Sequence, residues 1–245
     1  MRPKKVQLFP TCLVNELFPE VGFDVVTVLK KLDIEVEVPL TQVCCGQPAY
    51  NAGYTEDAKK VALNFIDAFE KTEGPIVAPS GSCSDMVAHH LPSLFADDPS
   101  LKARAEKVAS RIREFSQFLV DDLGVTDLGG KLPASVAYHP SCHLSRGLGV
   151  KTQPQALIAG VKGATLNSAE NMDECCGFGG SFSVTHDALS GAMLEAKMSC
   201  LDKAGAERIV SCDMGCLMHI EGGFRHKDQA RKVQHLAQFL AESLR

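Results

Sequence analysis

The stretch Cys44-Cys45-Gly46-Gln47-Pro48 has an echo in the second half of the chain, Cys175-Cys176-Gly177-Phe178-Gly179. Vicinal cysteines are a poor material for a core and an efficient way to bring sulfurs to one point in a loop. Each doublet has a lone cysteine upstream, Cys12 and Cys142, and another downstream, Cys83 and Cys216. The order C…CC…C is therefore written twice. The surrounding frames match as well. Pro10-Thr11-Cys12 corresponds to Pro140-Ser141-Cys142, and Ile76-Val77 precedes Cys83 as Ile209-Val210 precedes Cys216. An internal duplication of this kind organises the chain before any local reading does.

Working outward from the cysteines, each follows a short apolar run of strand type. Residues 6–9 run into Cys12, the alternating residues 34–38 into Cys44, and residues 76–78 into Cys83. In the second half, residues 134–138 lead to Cys142, a weak strand at 164–166 to Cys175, and residues 208–210 to Cys216. Between them lie apolar residues at helical spacing. Val21, Val25, Val28, Leu29 and Leu32 form one stripe, and Ala58, Val61, Ala62, Phe65 and Phe69 another. Leu189, Met193, Ala196 and Cys200 share a face of a helix over 186–203, and a helix is expected near 153–159. The stretch 84–128 reads as helical, with Leu101, Ala105, Val108, Ile112, Phe115 and Leu119 on one face. A last helix over about 227–244 is expected to bury Val233, Leu236, Leu240 and Leu244.

Alternating strands and helices predict an α/β fold: two duplicated Rossmann-like lobes with parallel sheets. Residues 1–128 make the first cysteine-rich domain and residues 129–245 the second, with Asp127 to Pro133, including Gly129-Gly130, as the linker. The cysteines then fall at the carboxyl ends of the strands, where open α/β sheets place their ligands. Three loops far apart in sequence can converge there.

The 245 residues are 45% apolar and 22% charged, enough to bury a substantial core. A net charge of −5 argues against nucleic acid or an anionic membrane as the main partner. No segment approaches the roughly 20 apolar residues of a membrane span. The basic start, Met1-Arg-Pro-Lys-Lys, is not followed by a long apolar run, so a cytoplasmic location is expected. In a reducing compartment, ten cysteines point to metal or redox chemistry over disulfides.

Each repeat supplies four thiols: Cys12, Cys44, Cys45 and Cys83, then Cys142, Cys175, Cys176 and Cys216. Four thiolates suit a 4Fe–4S iron–sulfur cluster, one or two per chain. Gly46 and Gly177 let the backbone turn tightly beside bulky sulfurs. Zinc is the main rival metal, since four thiolates also satisfy a structural zinc site. However, paired C-x-x-C knuckles are missing. Thiol redox chemistry and ordinary buried thiols are the other readings. The latter explains Cys200 on its apolar stripe but not two doublets in matching frames. His139, His143 and His219 lie close enough in sequence to tune a cluster by hydrogen bonding, or simply to satisfy backbone groups. His89 and His90 have no pattern around them, and Asp97-Asp98 and Asp121-Asp122 read as solvated turns. No dinucleotide, nucleotide-triphosphate, serine-nucleophile or HExxH motif is present.

The duplicated pattern resembles the cysteine-rich CCG domain found in heterodisulfide reductases, in the glycolate oxidase iron–sulfur subunit and in succinate dehydrogenase-like subunits. Within that group it is most similar to the lactate-utilisation protein A family. The resemblance is carried by Phe18-Pro-Glu-Val-Gly22, Cys44-Cys-Gly-Gln-Pro-Ala49, Pro79-Ser-Gly-Ser-Cys83, Tyr138-His-Pro-Ser-Cys-His143, Glu174-Cys-Cys-Gly-Phe-Gly-Gly-Ser-Phe182 and Cys216-Leu-Met-His-Ile-Glu221. It implies a component of a system oxidising L-lactate to pyruvate, working beside a ferredoxin-like iron–sulfur protein (LutB-like) and a LutC-like protein. A cluster-based disulfide reductase subunit and a zinc-binding scaffold are the alternatives. One departure stands out. Heterodisulfide reductase-type domains end in C-x-x-C, and the first cysteine of that pair is replaced here by Ser80 and by Asp213. Each site is thus one thiolate short of the five that hold a noncubane cluster. Asp213 reads as a solvated loop carboxylate, and Cys212, which has Pro79 as its counterpart, as a bystander.

Overall fold

A computed structural model describes residues 2–245. Its eight strands form two parallel sheets. The first has the order β2-β1-β3-β4, with β1 Lys5–Leu8, β2 Glu35–Glu37, β3 Ile76–Ala78 and β4 Ile112–Glu114. The second has the order β6-β5-β7-β8, with β5 Lys131–Tyr138, β6 Lys162–Asn167, β7 Arg208–Ser211 and β8 Lys232–His235. The identical order in both sheets is the structural form of the sequence repeat. β3 and β7 are buried along their whole length. Each is paired on both sides, which suits the apolar Ile76-Val77-Ala78 of β3 and Ile209-Val210 at the centre of β7.

The expected helices over 20–32, 55–69, 153–159 and 186–203 appear as Pro19–Lys31, Thr55–Phe69, Gln153–Ala159 and Asp187–Ala204. In Thr55–Phe69, Ala58, Ala62, Phe65 and Phe69 of the expected stripe are buried and Val61 is half-buried, with Ile66 buried beside them. Asp187–Ala204 differs. Leu189 is exposed, and the buried face is instead Ser190, Lys197, Met198, Cys200, Leu201 and Ala204. The stripe through Leu189 and Ala196 faces outward because the cysteine loop docks on the Ser190–Lys197 side, described below.

Two expected helices are corrected. The stretch 84–128 is broken at Ser110–Arg111, and Ile112–Glu114 pairs with β3 as the fourth strand of the first sheet. Residues 227–231 are not helical, and Lys232–His235 pairs with β7 as the fourth strand of the second. A strand of three or four residues is too short to disturb a helical apolar period, so Ile112, Phe115 and Leu119 are buried either way. The expected linker also shortens, since β5 already begins at Lys131 and pairs with Lys162.

Both fourth strands end in the same device. Glu114 accepts backbone hydrogen bonds from Ser116 (2.8 Å) and Gln117 (3.2 Å), and the Gln117 side chain accepts one from the Glu114 N–H. At the second, His235 Nδ1 accepts from the Ala237 N–H (3.0 Å), and the Gln238 side chain accepts from the His235 N–H (2.8 Å). These capping boxes turn the chain from strand into helix. The helix Leu236–Ser243 then packs across onto Pro19–Lys31 of the first lobe, and residues 115–122 pack onto Gln153–Ala159 of the second. The two lobes thereby share one apolar cluster, which joins Val6, Leu8, Val25, Leu29 and Val77 to Val136, Val210, Phe239 and Leu240. Among the described residues, no helix is long and apolar enough to cross a membrane.

Burial pushes the Glu114 carboxyl up to about 7, despite the hydrogen bonds it accepts from Ser116 and Gln117. A carboxyl raised above its unfolded value of 4.5 stabilises the fold fully below that value. This contribution is lost as pH rises to about 7, at roughly 1.4 kcal/mol per pH unit at the steepest. Denaturant melts of Glu114→Gln, which keeps an acceptor oxygen, should lack this component. Wild type should lose stability relative to the variant between pH 4.5 and 7, and an unchanged difference across that window would refute the assignment.

Candidate metal centre between the lobes

The eight repeated cysteines lie on the loops or first helical turns that follow β1, β2, β3, β5, β6 and β7. Their local geometry repeats. The Cys12 and Cys44 sulfurs are 3.7 Å apart, and the Cys142 and Cys175 sulfurs 3.9 Å apart. The glycine after each doublet explains the motif. Gly46 has φ of 86° and Gly177 φ of 87°, a left-handed conformation that favours glycine. That turn aims the Gly46 N–H at the Cys44 sulfur and the Gly177 N–H at the Cys175 sulfur, each at 3.4 Å. Gly177 has a second reason to lack a side chain: a Cβ there would sit 2.7 Å from the Ser190 carbonyl oxygen. Ser190 in turn donates from Oγ to the Gly177 carbonyl (2.8 Å), which fixes the doublet loop on the Asp187–Ala204 helix.

The paired sulfurs are electrostatically unequal. The hydrogen bond shared with Cys12 lowers the Cys44 thiol below its ordinary range, and the one shared with Cys142 lowers Cys175. The same bonds raise Cys12 and Cys142. Each pair thus holds one thiolate and one proton that a metal can displace.

The two sets are not separate. Cys12, Cys45 and Cys83 from the first lobe line one cavity of about 200 Å³ together with Cys142, Cys175, Cys176 and Cys216 from the second. The repeat predicts a site at each lobe's strand ends, and the packing of the lobes turns those ends toward each other. Cys44 lies at the adjoining groove formed with Cys12, Val38, Pro39 and Leu40.

Asp213 ties the halves together. Its Oδ2 accepts from the Ser82 backbone N–H (2.9 Å) and the Ser80 hydroxyl (3.3 Å), while Oδ1 accepts from the Gly215 N–H (3.1 Å). It is buried, which corrects the expectation of a solvated carboxylate. Ser80 accepts from the Cys83 N–H at 3.2 Å. The two residues at the absent cysteine positions are therefore capping groups that join the lobes. Gly81 completes the contact. Its N–H donates to the Cys212 carbonyl (3.3 Å), and a Cβ on it would lie 2.6 Å from Leu144 Cβ. Cys212 itself is buried away from the cavity, with its sulfur 3.7 Å from the Tyr138 hydroxyl. Cys200 packs in the core with its sulfur 2.9 Å from the Glu170 carbonyl.

The three histidines separate. His143 lines the cavity and bonds through Nδ1 to Asp85 (2.7 Å), whose other oxygen holds His89 Nδ1 (2.8 Å). That bond raises His143 above the ordinary imidazole value. Burial alone would raise Asp85, but the two imidazoles hold it below the usual carboxylate value. Asp85 does not stand out in the sequence, where only its i,i+4 spacing to His89 hints at a role. It fits because Gly147 has no side chain, as a Cβ there would meet the carboxylate at 2.5 Å. His219 pairs with Ser190 Oγ at 3.3 Å. His139 is fully buried, and neither of its ring nitrogens has a partner. One of those nitrogens lies within 4.8 Å of the Cys176 and Cys216 sulfurs. Lys197, also fully buried, donates to the Met172 carbonyl (3.0 Å) and to that of Asn171 (3.5 Å). The sequence signal for Lys197 is a lysine in line with the buried face of its helix. Buried orphan nitrogens beside convergent thiols, with a buried amine behind them, fit an anionic metal–sulfur group.

A family model of the cysteine-rich domain named CCG matches residues 6–88 and 136–221. Those segments contain all eight repeated cysteines. Lactate utilization protein A from Bacillus cereus is 46% identical over 236 residues, covering 96% of this chain and 98% of the relative. Its counterpart from an Exiguobacterium species is 44% identical over 241 residues, covering 98% of both. The chain belongs to the lactate utilization protein A family. A crystal structure of a hypothetical protein from Helicobacter pylori superposes with a TM-score of 0.71 at 11% identity. It covers 100% of this chain and 49% of that one, so the chain spans about half of that protein's length. The likeness supports the paired α/β lobes and says nothing about chemistry.

Removing the Asp213 carboxylate leaves the Ser82 and Gly215 N–H groups without acceptors. Asp213→Ala should lower the stability of the metal-free protein by about 1–3 kcal/mol, and Asp213→Asn, which keeps one oxygen, by less. Urea denaturation checks this, and equal stability of Asp213→Ala and wild type would contradict the bridging role.

Proposed function

We propose that this protein is the iron–sulfur, electron-transferring component of a cytoplasmic system that oxidises L-lactate to pyruvate. Relatives bearing the name lactate utilization protein A at 44–46% identity over nearly the whole chain support the metabolic setting. The observation that carries the chemistry is the convergence of seven of the eight repeated cysteines, from both lobes, on one cavity. An iron–sulfur cluster held by such thiolates supplies reversible one-electron transfer.

The chain's own residues account for the rest. Cys12, Cys44, Cys45 and Cys83 hold the first group, and Cys142, Cys175, Cys176 and Cys216 the second. The Gly46 and Gly177 N–H groups donate to the leading sulfur of each doublet and add to the Cys12 and Cys142 hydrogen bonds that favour its thiolate form, the form a metal requires. Asp213, Ser80 and Gly81 keep the two sets facing one another. Vicinal thiols in each set favour a polynuclear group over a single tetrahedral zinc ion. A ferredoxin-like iron–sulfur protein and a LutC-like protein are the proposed partners. Leu40, 96% exposed beside the groove at Cys12 and Cys44, supports docking of the electron partner on that side.

In the source organism, replacing Cys44-Cys45 or Cys175-Cys176 by Ser-Ser should abolish growth on L-lactate as sole carbon source. The purified variants should keep the far-ultraviolet circular dichroism of wild type. Undiminished growth with both doublet variants would contradict the proposal.

A further inference from the structure

The two repeated sites differ immediately behind their sulfurs. Phe9 and His139 occupy the same place in the two lobes. Each follows the first strand of its sheet by one residue, and each is followed by Pro-Thr-Cys or Pro-Ser-Cys. The Phe9 N–H donates to the Val77 carbonyl of β3 (2.9 Å), and the His139 N–H to the Val210 carbonyl of β7 (2.8 Å). The helices behind them correspond too. Gly46 approaches Ala58 and Val61, and Gly177 approaches Ser190 and Met193. Carried on by the same step, this register sets Phe65 opposite Lys197. In the first lobe, Phe9 and Phe65 stack edge to face with ring centroids 4.9 Å apart, and Phe69 closes the cluster at 5.9 Å. In the second lobe, that apolar pair is replaced by an imidazole and an amine.

A fully buried imidazole without a hydrogen bond and a buried amine held only by carbonyls are costly replacements for two phenyl rings. Their cost is offset if they face a group that uses them. The His139 ring offers a nitrogen within 4.8 Å of both the Cys176 and Cys216 sulfurs, which is compatible with joining them around one metal atom. No other histidine reaches the sulfurs in this way among the described residues, since His143 is engaged by Asp85 and His219 by Ser190.

We propose that the duplicated sites are chemically unequal: His139 is a nitrogen ligand of the group held by the second cysteine set, backed by Lys197, and the first set has no such ligand. This inference rests on the iron–sulfur reading above. It restores a fifth donor to the second site, where Asp213 has replaced a thiolate. A buried cation behind an anionic cluster favours its reduced form. The second site is therefore the more oxidising of the two, and electrons entering at the first set run downhill to it.

The test uses the full chain reconstituted anaerobically with iron and sulfide, prepared with natural-abundance histidine and again with ¹⁵N-histidine. Pulsed EPR of the reduced protein should show a directly bound nitrogen that responds to the label. The coupling should persist in His143→Gln and His219→Gln and vanish in His139→Phe, the residue native to the other lobe. A redox titration should resolve two steps. Lys197→Met should lower the higher one toward the lower and leave the lower unmoved. The labelled wild-type spectra decide the matter even if His139→Phe fails to fold. An iron signal without a label-sensitive nitrogen, or with a nitrogen lost in His143→Gln or His219→Gln, overturns this inference and leaves the functional reading standing. A chain that takes up no iron overturns both.

Discussion

The carboxylate of Asp213 accepts hydrogen bonds from both lobes at once, from Ser82 on one side and Gly215 on the other. The single cavity depends on that contact. Each lobe alone would present three strand ends and four thiols to solvent, in the usual manner of an open parallel sheet. With Asp213 buried against the Gly81–Asp85 turn, and with Gly81 letting Leu144 approach, the carboxyl ends of the two sheets close on one another. The crossing of each lobe's last helical segment onto the other lobe reinforces the arrangement from behind, through an apolar cluster common to both. The fold therefore fixes the cysteines twice, locally by the glycine turn after each doublet and globally by the joint between the lobes.

Much of this is legible in the sequence because it is written there twice. Three strands of each sheet, the placement of the eight thiols after them and the tight turns at Gly46 and Gly177 follow from the repeated doublet and its frame. What is not legible has physical causes. The fourth strands, Ile112–Glu114 and Lys232–His235, are so short that helical periodicity runs straight through them. The helix Asp187–Ala204 buries a serine and a lysine where its apolar stripe points elsewhere, because a loop and not a sheet dictates its inner face. The convergence of the two sets is invisible, since nothing in either repeat encodes how the lobes face. Asp85 is barely legible for the same reason: beyond His89 one turn away, its neighbours His143 and Gly147 belong to the other lobe.

Duplication also makes the differences between the repeats informative. Matching positions begin with the same surroundings, so a change from Phe9 and Phe65 to His139 and Lys197 is a change of chemistry at constant geometry. The first lobe fills those positions with an aromatic cluster. The second accepts two buried polar groups at a cost in stability. In the proposed electron-transfer role such a difference matters, because two identical sites at equal potential give an electron no direction.

Everything in this arrangement turns on what the thiols hold. The most direct measurement is iron and acid-labile sulfide per chain after anaerobic reconstitution, for wild type and for each doublet replaced by Ser-Ser. The predicted result is iron with matching sulfide in wild type, a partial loss when either doublet is removed, and near-complete loss when both are. Zinc without sulfide in wild type, or iron content indifferent to either doublet, would contradict it.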